Sequence, residues 1–393
     1  MRESIHIQNL GPIREIKLDD IKSFTILIGD SGSGKSTLMR AIALFRWLYK
    51  MCNIREYLHQ SGFKKSPFRF RTETYLNNCG FKDFVTDKTD IQYEVSHDSS
   101  CEPFSVCISL KGGKLDVRQT KIPHELISFN KISYISESRG IIPSYLANLG
   151  GPLSGRINLG FYFDEVLNDF LRATASNHSF ELPFLKISFS VEKSGALTKY
   201  YIKPIDSPET KPYRIECRHG SSGMQNTIPL LLILKHFAKY FDFVNAFKRS
   251  ALDYLNTEDQ LTEFRPVANL GELHKTIFVH IEEPELGLFP DAQCELTNEL
   301  VRECFINNKN SMNVILATHS PYIINHLNLL IKANDANNTE LTAGAKLAFE
   351  NIAAYQVEEG TIRDLKITNK RLIDTDSLSD TIDAIYTAYG ELH

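Results

Sequence analysis

The stretch "IFVHIEEPELGLFP", residues 277–290, decides how the whole chain is interpreted. A run of apolar residues, typical of a strand buried on both faces, ends in the adjacent glutamates Glu282 and Glu283. A carboxylate without a partner is expensive to bury, so we expect a cationic group to meet these two acids. The rest of the sequence must decide between a structural lysine or arginine and a metal ion held with a bound ligand.

Length and composition are those of an ordinary soluble protein of 393 residues with 42% hydrophobic residues. The chain is long enough for one large domain or two to three smaller ones. Its net charge of −4 argues against a uniformly basic surface that wraps nucleic acid, but leaves a local basic patch open. Seven cysteines without a CxxC pair fit a reducing compartment better than a disulfide framework or a zinc site. With no apolar signal-peptide core and no bilayer-length apolar run, we expect a cytoplasmic protein.

A phosphate-binding loop is the most specific motif of the chain. The segment "GDSGSGKS", residues 29–36, matches G-x-x-x-x-G-K-[ST] and lies between the buried run "FTILIG" and a helical pattern. In such a loop the backbone N–H groups wrap a phosphate chain at a helix N-terminus. The alternative is a Gly/Ser-rich turn that matches by chance. The predicted nucleotide-binding residues are Gly29, Asp30, Ser31, Gly32, Ser33, Gly34, Lys35, Ser36 and Thr37.

The two glutamates now have a candidate cation. Lys35 is expected to contact the β- and γ-phosphates of a nucleoside triphosphate, and Ser36 to bind Mg²⁺. Glu282 would then hold the Mg²⁺, and Glu283 would orient and deprotonate the attacking water. Because aspartate is usual at the metal-holding position, Glu282 is a departure. The alternative is a pair of exposed acids at a strand end.

Two further segments narrow the class. In "VILATHS", residues 314–320, a buried strand ends in His319, which can hydrogen-bond a γ-phosphate or serve as a structural histidine. In "RHGSSGMQN", residues 218–226, Ser221, Ser222 and Gly223 precede a helix. They form either a second anion site or a simple N-cap by Ser221 or Ser222. The four motifs together are far more specific than any one of them.

In that order the motifs resemble the ABC-type ATPase head of the SMC, RecF and OLD lineage, in particular the short stand-alone AAA-type ATPases of bacteria. "GDSGSGKST" resembles the Walker A motif, with Ser31 where relatives often have Asn. "GSSGMQ" resembles the signature motif, and Ser222 stands where a glycine is usual. "FVHIEEPE" resembles the Walker B motif, and His319 resembles the switch histidine. The resemblance implies binding and hydrolysis of ATP with Mg²⁺.

The resemblance also implies a fold and a mode of assembly. We expect an α/β fold with a mixed, largely parallel core sheet, an antiparallel β subdomain and a helical signature lobe, without a long coiled coil. In such heads one nucleotide lies between the Walker A motif of one copy and the signature of another, so this chain would form a two-fold dimer with composite sites. The three predicted segments are residues 1–140, with Walker A and the β subdomain; 141–250, with the signature and an inserted hairpin; and 251–393, with Walker B, His319 and a C-terminal hairpin-helix tail.

Some features of the sequence depart from the family pattern. No clear Q-loop glutamine is present, and the family's strand-then-arginine element is matched only by "SYISESRG", with Glu137 and Arg139. The short segments "VEEG" (357–360) and "DTD" (374–376) resemble elements of a TOPRIM nuclease but lie too close together for one. We interpret them instead as a hairpin turn and a helix start capped by Asp376 or Ser377.

These observations lead to one leading function and one alternative. The chain resembles the ATPase subunits of two-component bacterial anti-phage systems such as Septu and PARIS, which implies a separate nuclease partner. The alternative is a RecF- or SMC-like ATPase that binds DNA in repair or maintenance. The segment "FKKSPFRFR", residues 63–71, would suit nucleic acid through Lys64, Lys65, Arg69 and Arg71, or is a solvated loop. A transporter ATPase is disfavoured by the missing Q-loop glutamine.

Overall fold

The computed structural model places eight stretches of the chain, and every structural statement below concerns these stretches. They are residues 1–62, 70–97, 104–117, 121–147, 160–194, 197–205, 213–247 and 273–392. Strands and helices are numbered along the chain.

A six-stranded sheet forms the core of the described fold. In spatial order the strands are β15 (Thr361–Asp364), β14 (Ile352–Glu358), β3 (Phe24–Ile28), β13 (Met312–Thr318), β12 (His274–Glu282) and β7 (Ser128–Ile135). The four pairings from β14 through β7 are parallel, and only the edge strand β15 is antiparallel to its neighbour. This confirms the expected α/β fold with a largely parallel core sheet.

The central strands are buried because helices cover both faces of a parallel sheet. All five residues of β3 are buried, and so are the last six residues of β12, which end at Glu282. β13 lies between β3 and β12. The carboxyl ends of these three neighbouring strands therefore lie at one edge of the sheet, and they deliver the phosphate loop, His319 and the two glutamates to the same place.

Three smaller sheets are antiparallel. The expected β subdomain has the strand order β2 (Ile13–Leu18), β1 (Arg2–Leu10), β4 (Val85–His97), β5 (Phe104–Lys111) and β6 (Lys114–Val117). The expected inserted hairpin is extended by short strands that the sequence did not predict, in the order β11 (Ile215–Glu216), β10 (Leu197–Pro204), β9 (Ile187–Ser194) and β8 (Ser179–Leu182). A two-stranded ribbon contains β16 (Lys366–Ile367) and β17 (Leu372–Ile373).

The described helices are short apart from the first. α1 (Lys35–Gln60) has 26 residues, and Ile54, Tyr57 and Leu58 continue its buried face into the last turns. None of the described helices combines the length and apolar character needed to cross a bilayer. The helices are α1 (Lys35–Gln60), α2 (Thr72–Asn78), α3 (Ile142–Ala147), α4 (Phe161–Ser176), α5 (Ser222–Lys239), α6 (Pro290–Val301), α7 (Pro321–Asp335) and α8 (Asp376–Glu391).

The C-terminal hairpin is part of the core rather than a tail. The predicted turn at Gly360 is confirmed, but β14 pairs in parallel with β3, next to the phosphate loop. The carbonyl of Gly360 accepts hydrogen bonds from the N–H groups of Arg14 and Glu15, at 2.9 and 3.1 Å. The hairpin thus joins the core sheet to the antiparallel β subdomain, a tertiary pairing that local sequence patterns do not show.

The start of α8 differs from the predicted cap. The N-cap residue is Thr375, whose side chain makes no capping hydrogen bond. Instead a carboxylate oxygen of Asp374 accepts the N–H of Asp376 at 3.0 Å. The prediction that Asp376 or Ser377 caps the helix is therefore wrong.

A buried ion pair fastens the antiparallel sheet to the core. The Arg46 guanidinium, which is fully buried, donates to both carboxylate oxygens of Glu3 at 2.8 Å. The Tyr93 hydroxyl donates to the same carboxylate at 2.8 Å. Arg46 Nη1 also lies 3.1 Å from Nε2 of His280 on β12, whose Nδ1 lies 3.1 Å from a backbone carbonyl oxygen. Because the arginine N–H donates to Nε2, this nitrogen must be unprotonated and His280 is neutral. Burial lowers the pKa of His280 well below the usual value, in agreement with this.

Removing one partner of this pair should be much more harmful than removing both. Arg46→Met leaves the Glu3 carboxylate buried without its cation, so we expect the free energy of unfolding to fall by about 3–5 kcal/mol. The double variant Glu3→Met with Arg46→Met should lose clearly less than the sum of the two single variants. Urea unfolding of all four proteins measures this. Strictly additive losses would show that the two side chains do not interact energetically.

Candidate active site

The phosphate loop has the backbone geometry that its sequence predicts. Gly29 and Gly34 adopt φ angles of 150° and 110°, and the N-cap position Gly34 offers no side chain to the helix. A Cβ on Gly29 would lie 2.2 Å from the carbonyl oxygen of Val357, so only glycine fits against β14. Pro12 and Ile13 lie beside Gly34. The first N–H groups of α1 are therefore left for an anion.

Lys35 lies folded back within the loop. Its ammonium donates to the backbone carbonyl oxygens of Gly29 and Asp30, at 2.7 and 2.8 Å. Burial lowers its pKa, while Glu283, Asp30 and other nearby acids act in the opposite direction. The Ser33 hydroxyl lies 3.5 Å from the same ammonium. A buried ammonium whose hydrogen-bond partners are neutral is a strong attractor for a phosphate group.

Glu282 has the properties of a carboxylate built for a cation. It is 3% exposed, and its Oε1 accepts from the Tyr134 hydroxyl at 2.6 Å. Its Oε2 is buried and, apart from the neighbouring side chains of Ser36 and Glu137, has no hydrogen-bond partner among the described residues. Burial, and after it the neighbouring Glu137, raise the pKa of Glu282 to about 7, while the side chains of Ser36 and Tyr134 favour its ionised form. A buried carboxylate oxygen next to Ser36 fits Mg²⁺, a hard cation that binds oxygen ligands.

The backbone conformation of Glu283 sets the direction of its side chain. Its φ angle of 42° is rare for a residue with a side chain, and it is held there because its N–H donates to the carbonyl oxygen of Ala317 at 2.8 Å. The Glu283 carboxylate is partly exposed and lies 3.6 Å from Nε2 of His319. Adjacent glutamates thus have opposite environments, one buried toward the sheet and one facing the opening where a water can approach.

Glu285 contributes a contact that the sequence analysis missed. Its Oε1 accepts from the Thr318 hydroxyl at 2.7 Å and from the N–H of His319 at 2.8 Å. The turn after β12 is thereby tied to the end of β13. Glu285 is the third acid of "EEPE", and its presence in that motif was the only sign of this role in the sequence.

Arg139 is the second residue whose role the sequence did not show. It is fully buried and donates to the backbone carbonyl oxygens of Glu282 and Glu283, each at 2.6 Å. It also donates to the carbonyl oxygens of Ser136 and Asn226, at 3.0 and 3.2 Å. Burial lowers its pKa to about 10. Arg139 therefore joins the end of β12 to α5, the helix that follows the signature turn.

The signature turn touches the turn that follows the glutamates. Ser221 is the N-cap of α5 and accepts the N–H of Met224 at 3.4 Å, which confirms one of the two predicted caps. A Cβ on Gly223 would lie 2.5 Å from the carbonyl oxygen of Gly287. This close approach of two glycines couples the signature helix to the turn that follows Glu282 and Glu283.

The structure brings together Lys35, Ser36, Glu282, Glu283 and His319 in one site. Ser221 and Ser222 are exposed, and no hydrogen bond or ion pair between described residues joins Ser221–Gly223 to the phosphate loop. Residues 63–69 of the predicted nucleic-acid segment, with Lys64, Lys65 and Arg69, lie outside the described residues, and Arg71 is the N-cap residue of α2.

Comparison with known proteins adds a family match. Residues 163–324 match the family model described as AAA ATPase domain, a span that holds the signature turn, both glutamates and His319 and begins after the phosphate loop. This part of the chain is therefore similar to an ATPase domain. An uncharacterised protein of Methanocaldococcus jannaschii is 42% identical over 45 residues, 12% of this chain; the match spans only 20% of that relative's length.

Several solved structures are similar over most of the chain at low identity. The SMC head bound to the C-winged helix domain of ScpA has a TM-score of 0.40 and 11% identity, and covers 93% of this chain and 98% of its own. The SMC head domain from Thermotoga maritima has a TM-score of 0.36 and 13% identity, and the match covers 93% of this chain and 99% of that one. The recombination mediator RecF has a TM-score of 0.37 and 11% identity, and the match again covers 93% of this chain and 99% of that one. The fold given above rests on the strand order of the chain itself.

The contact between the two glycines can be tested directly. Gly223→Ala should displace the turn at Gly287, and we expect loss of stability of about 1–3 kcal/mol together with slower ATP hydrolysis. Gly390→Ala is the matched control because a Cβ there meets nothing within 4 Å. Thermal unfolding and ATP turnover of both variants are the measurements. Equal behaviour of the two variants would show that the close approach has no role.

Proposed function

We propose that this chain binds ATP with Mg²⁺ and hydrolyses it at the edge formed by β3, β13 and β12. The observation that carries this proposal is the paired environment of the two glutamates. A buried carboxylate lies next to Ser36, and a partly exposed carboxylate lies next to His319. No structural lysine or arginine neutralises either carboxylate through an ion pair among the described residues.

Each residue has a defined role in this proposal. The N–H groups at the start of α1 and the Lys35 ammonium bind the phosphates. Glu282 and Ser36 hold Mg²⁺, which supplies charge neutralisation on the phosphates when it is bound. Glu283 accepts the proton of the attacking water, and His319 orients that carboxylate and meets the γ-phosphate. The hydrogen bonds from the Arg139 guanidinium to the carbonyl oxygens of Glu282 and Glu283 keep these two side chains pointing in different directions.

Conversion of each glutamate to glutamine should have a different effect. Glu283→Gln keeps the shape but removes the base, so hydrolysis should fall by about 10²–10⁴-fold while ATP still binds. Glu282→Gln should instead weaken the dependence of ATP binding on Mg²⁺, since a neutral amide is a poorer ligand for a hard cation. Turnover and equilibrium binding assays distinguish these effects. Unchanged turnover in both variants would make the pair structural, and exchanged phenotypes would reverse the two roles.

We further propose that two copies complete each other's site. Ser221 and Ser222 are exposed at the start of α5, where free N–H groups can meet a phosphate of another copy. Phe289, in the turn that touches this helix start, is 77% exposed. An exposed aromatic ring next to an exposed anion site supports a contact with a second copy.

A mixing experiment tests the shared site. Lys35→Ala should abolish ATP binding, and Ser221→Arg should leave binding intact but block closure with the other copy. A mixed dimer of these two variants retains one intact site, so the mixture should recover turnover that neither variant has alone. No recovery on mixing, with dimers present, would argue against a composite site.

For the biological role we propose the ATPase subunit of a bacterial anti-phage system that controls a separate nuclease. The end of α8 supports a protein partner, because Ile385, Tyr386 and Tyr389 are between 62% and 76% exposed. The alternative is a RecF- or SMC-like ATPase acting on DNA. Phage challenge of cells that carry the chain with its neighbouring gene separates the two: loss of protection in the Lys35→Ala variant supports defence. Hydrolysis stimulated several-fold by DNA, without protection, would support the alternative.

A further inference from the structure

A cavity of about 400 Å³ lies behind the candidate active site, on the far side of Tyr134. It is bounded by the α1 residues Trp47, Lys50 and Ile54, which share one face of that helix, and by β7 and the start of α4. Its volume is in the range of about 300–1,000 Å³ typical of pockets that hold small molecules. Apart from Tyr134, no described residue of the motifs discussed above lines this cavity.

Aromatic rings form a large part of its wall. Three ring pairs face it: Trp47 with Tyr75 at 4.6 Å between centroids, Phe129 with Phe247 at 4.1 Å, and Tyr134 with Tyr162 at 4.3 Å. The hydroxyl of Tyr162 is buried and, apart from the neighbouring Cys79 thiol, has no hydrogen-bond partner among the described residues. Flat apolar faces with an unused polar group are suited to a planar ring.

The charge of the wall is positive. Lys131 is paired with Asp169 at 2.8 Å, and Glu165 lies 4.0 Å from the same ammonium. Lys50 has no ion pair with a described carboxylate, although Glu165, Asp169 and Arg172 act on it from a distance. Burial, and then the charge of Lys131, lower the pKa of Lys50 to about 8. An ammonium that is desolvated and repelled by its neighbour gains from an incoming anion.

We propose that this cavity is a binding site for a small aromatic anion, a flat ring that carries a phosphate or carboxylate group. The ring lies among Trp47, Tyr75 and Tyr162, and the anionic group is taken by Lys50. Lys50 lines this cavity and Lys35 does not, so the cavity and the phosphate loop do not share a lysine.

Trp47 allows a site-specific test because it is the single tryptophan of the chain. Phenyl phosphate is the probe; phenol supplies the ring without the charge, and inorganic phosphate supplies the charge without the ring. We expect a saturable change of Trp47 emission with phenyl phosphate and binding at least about tenfold weaker with either fragment, since a charge-assisted hydrogen bond contributes this much or more.

Variants locate the binding. Lys50→Met keeps the length and the apolar stem but loses the charge, so phenyl phosphate should bind at least about tenfold more weakly, whereas Lys50→Arg should bind nearly as the native chain does. Lys35→Ala should leave the response unchanged, because it alters only the phosphate loop. Circular dichroism checks that the variants are folded.

Three results would overturn the site. They are no saturable response up to about 10 mM phenyl phosphate, far above the concentrations at which weak specific sites fill; equal affinity of Lys50→Met and the native chain; and loss of the response in Lys35→Ala, which would place the probe in the phosphate loop.

A ligand in this cavity would also touch the residue that holds Glu282, since the Tyr134 hydroxyl donates to that carboxylate. Saturating phenyl phosphate should therefore change the affinity for ATP with Mg²⁺, and ATP should change the affinity for phenyl phosphate by the same factor. Tyr134→Phe keeps the ring and should remove this coupling. This step rests on the proposed function: failure to bind ATP at all counts against that function, whereas ATP binding that ignores phenyl phosphate counts against the coupling alone.

Discussion

Four backbone carbonyl oxygens converge on one buried guanidinium, that of Arg139, and the geometry of the site depends on them. The planar fork of arginine can satisfy several acceptors at fixed angles, which a lysine cannot. Two of the four oxygens belong to Glu282 and Glu283, and one belongs to Asn226 on α5. The end of β12 and the signature helix are thus held by the same side chain. A displacement of the end of β12 must therefore also displace the signature helix, and the reverse.

This arrangement explains how two neighbouring acids can have different tasks. In a regular strand, successive side chains simply point to opposite faces of the sheet. At Glu283 the backbone instead turns into the left-handed region, at a cost of about 1–3 kcal/mol. Arg139, the Ala317 carbonyl and the Glu285 contacts with the end of β13 offset that cost. The strain is therefore local, and it lies where the proposed water-activating carboxylate must be aimed.

The sequence was sufficient for features that depend on neighbouring residues. The phosphate loop, the buried strand before it, the helix after it and the Ser221 cap follow from local spacing. Features that depend on distant residues could not be predicted in this way. The pattern around Arg139 gives no sign that its side chain is buried, the third acid Glu285 has no local role, and the pairing of β14 with β3 joins segments more than 300 residues apart. Glu137 and Arg139 appeared as departures from a family pattern, but the buried contacts of Arg139 show an organising role.

The most direct test of this account is the Arg139→Lys variant, which keeps the positive charge but removes the planar fork. ATP affinity, the single-turnover rate of ATP hydrolysis and thermal unfolding should be measured together on the native chain and the variant. The account predicts that ATP affinity changes by no more than a few-fold, while the hydrolysis rate falls at least about tenfold, because misplacement of a catalytic group by about 1 Å can lower rates as much as 10²-fold. A folded Arg139→Lys protein that hydrolyses ATP at the native rate would contradict it.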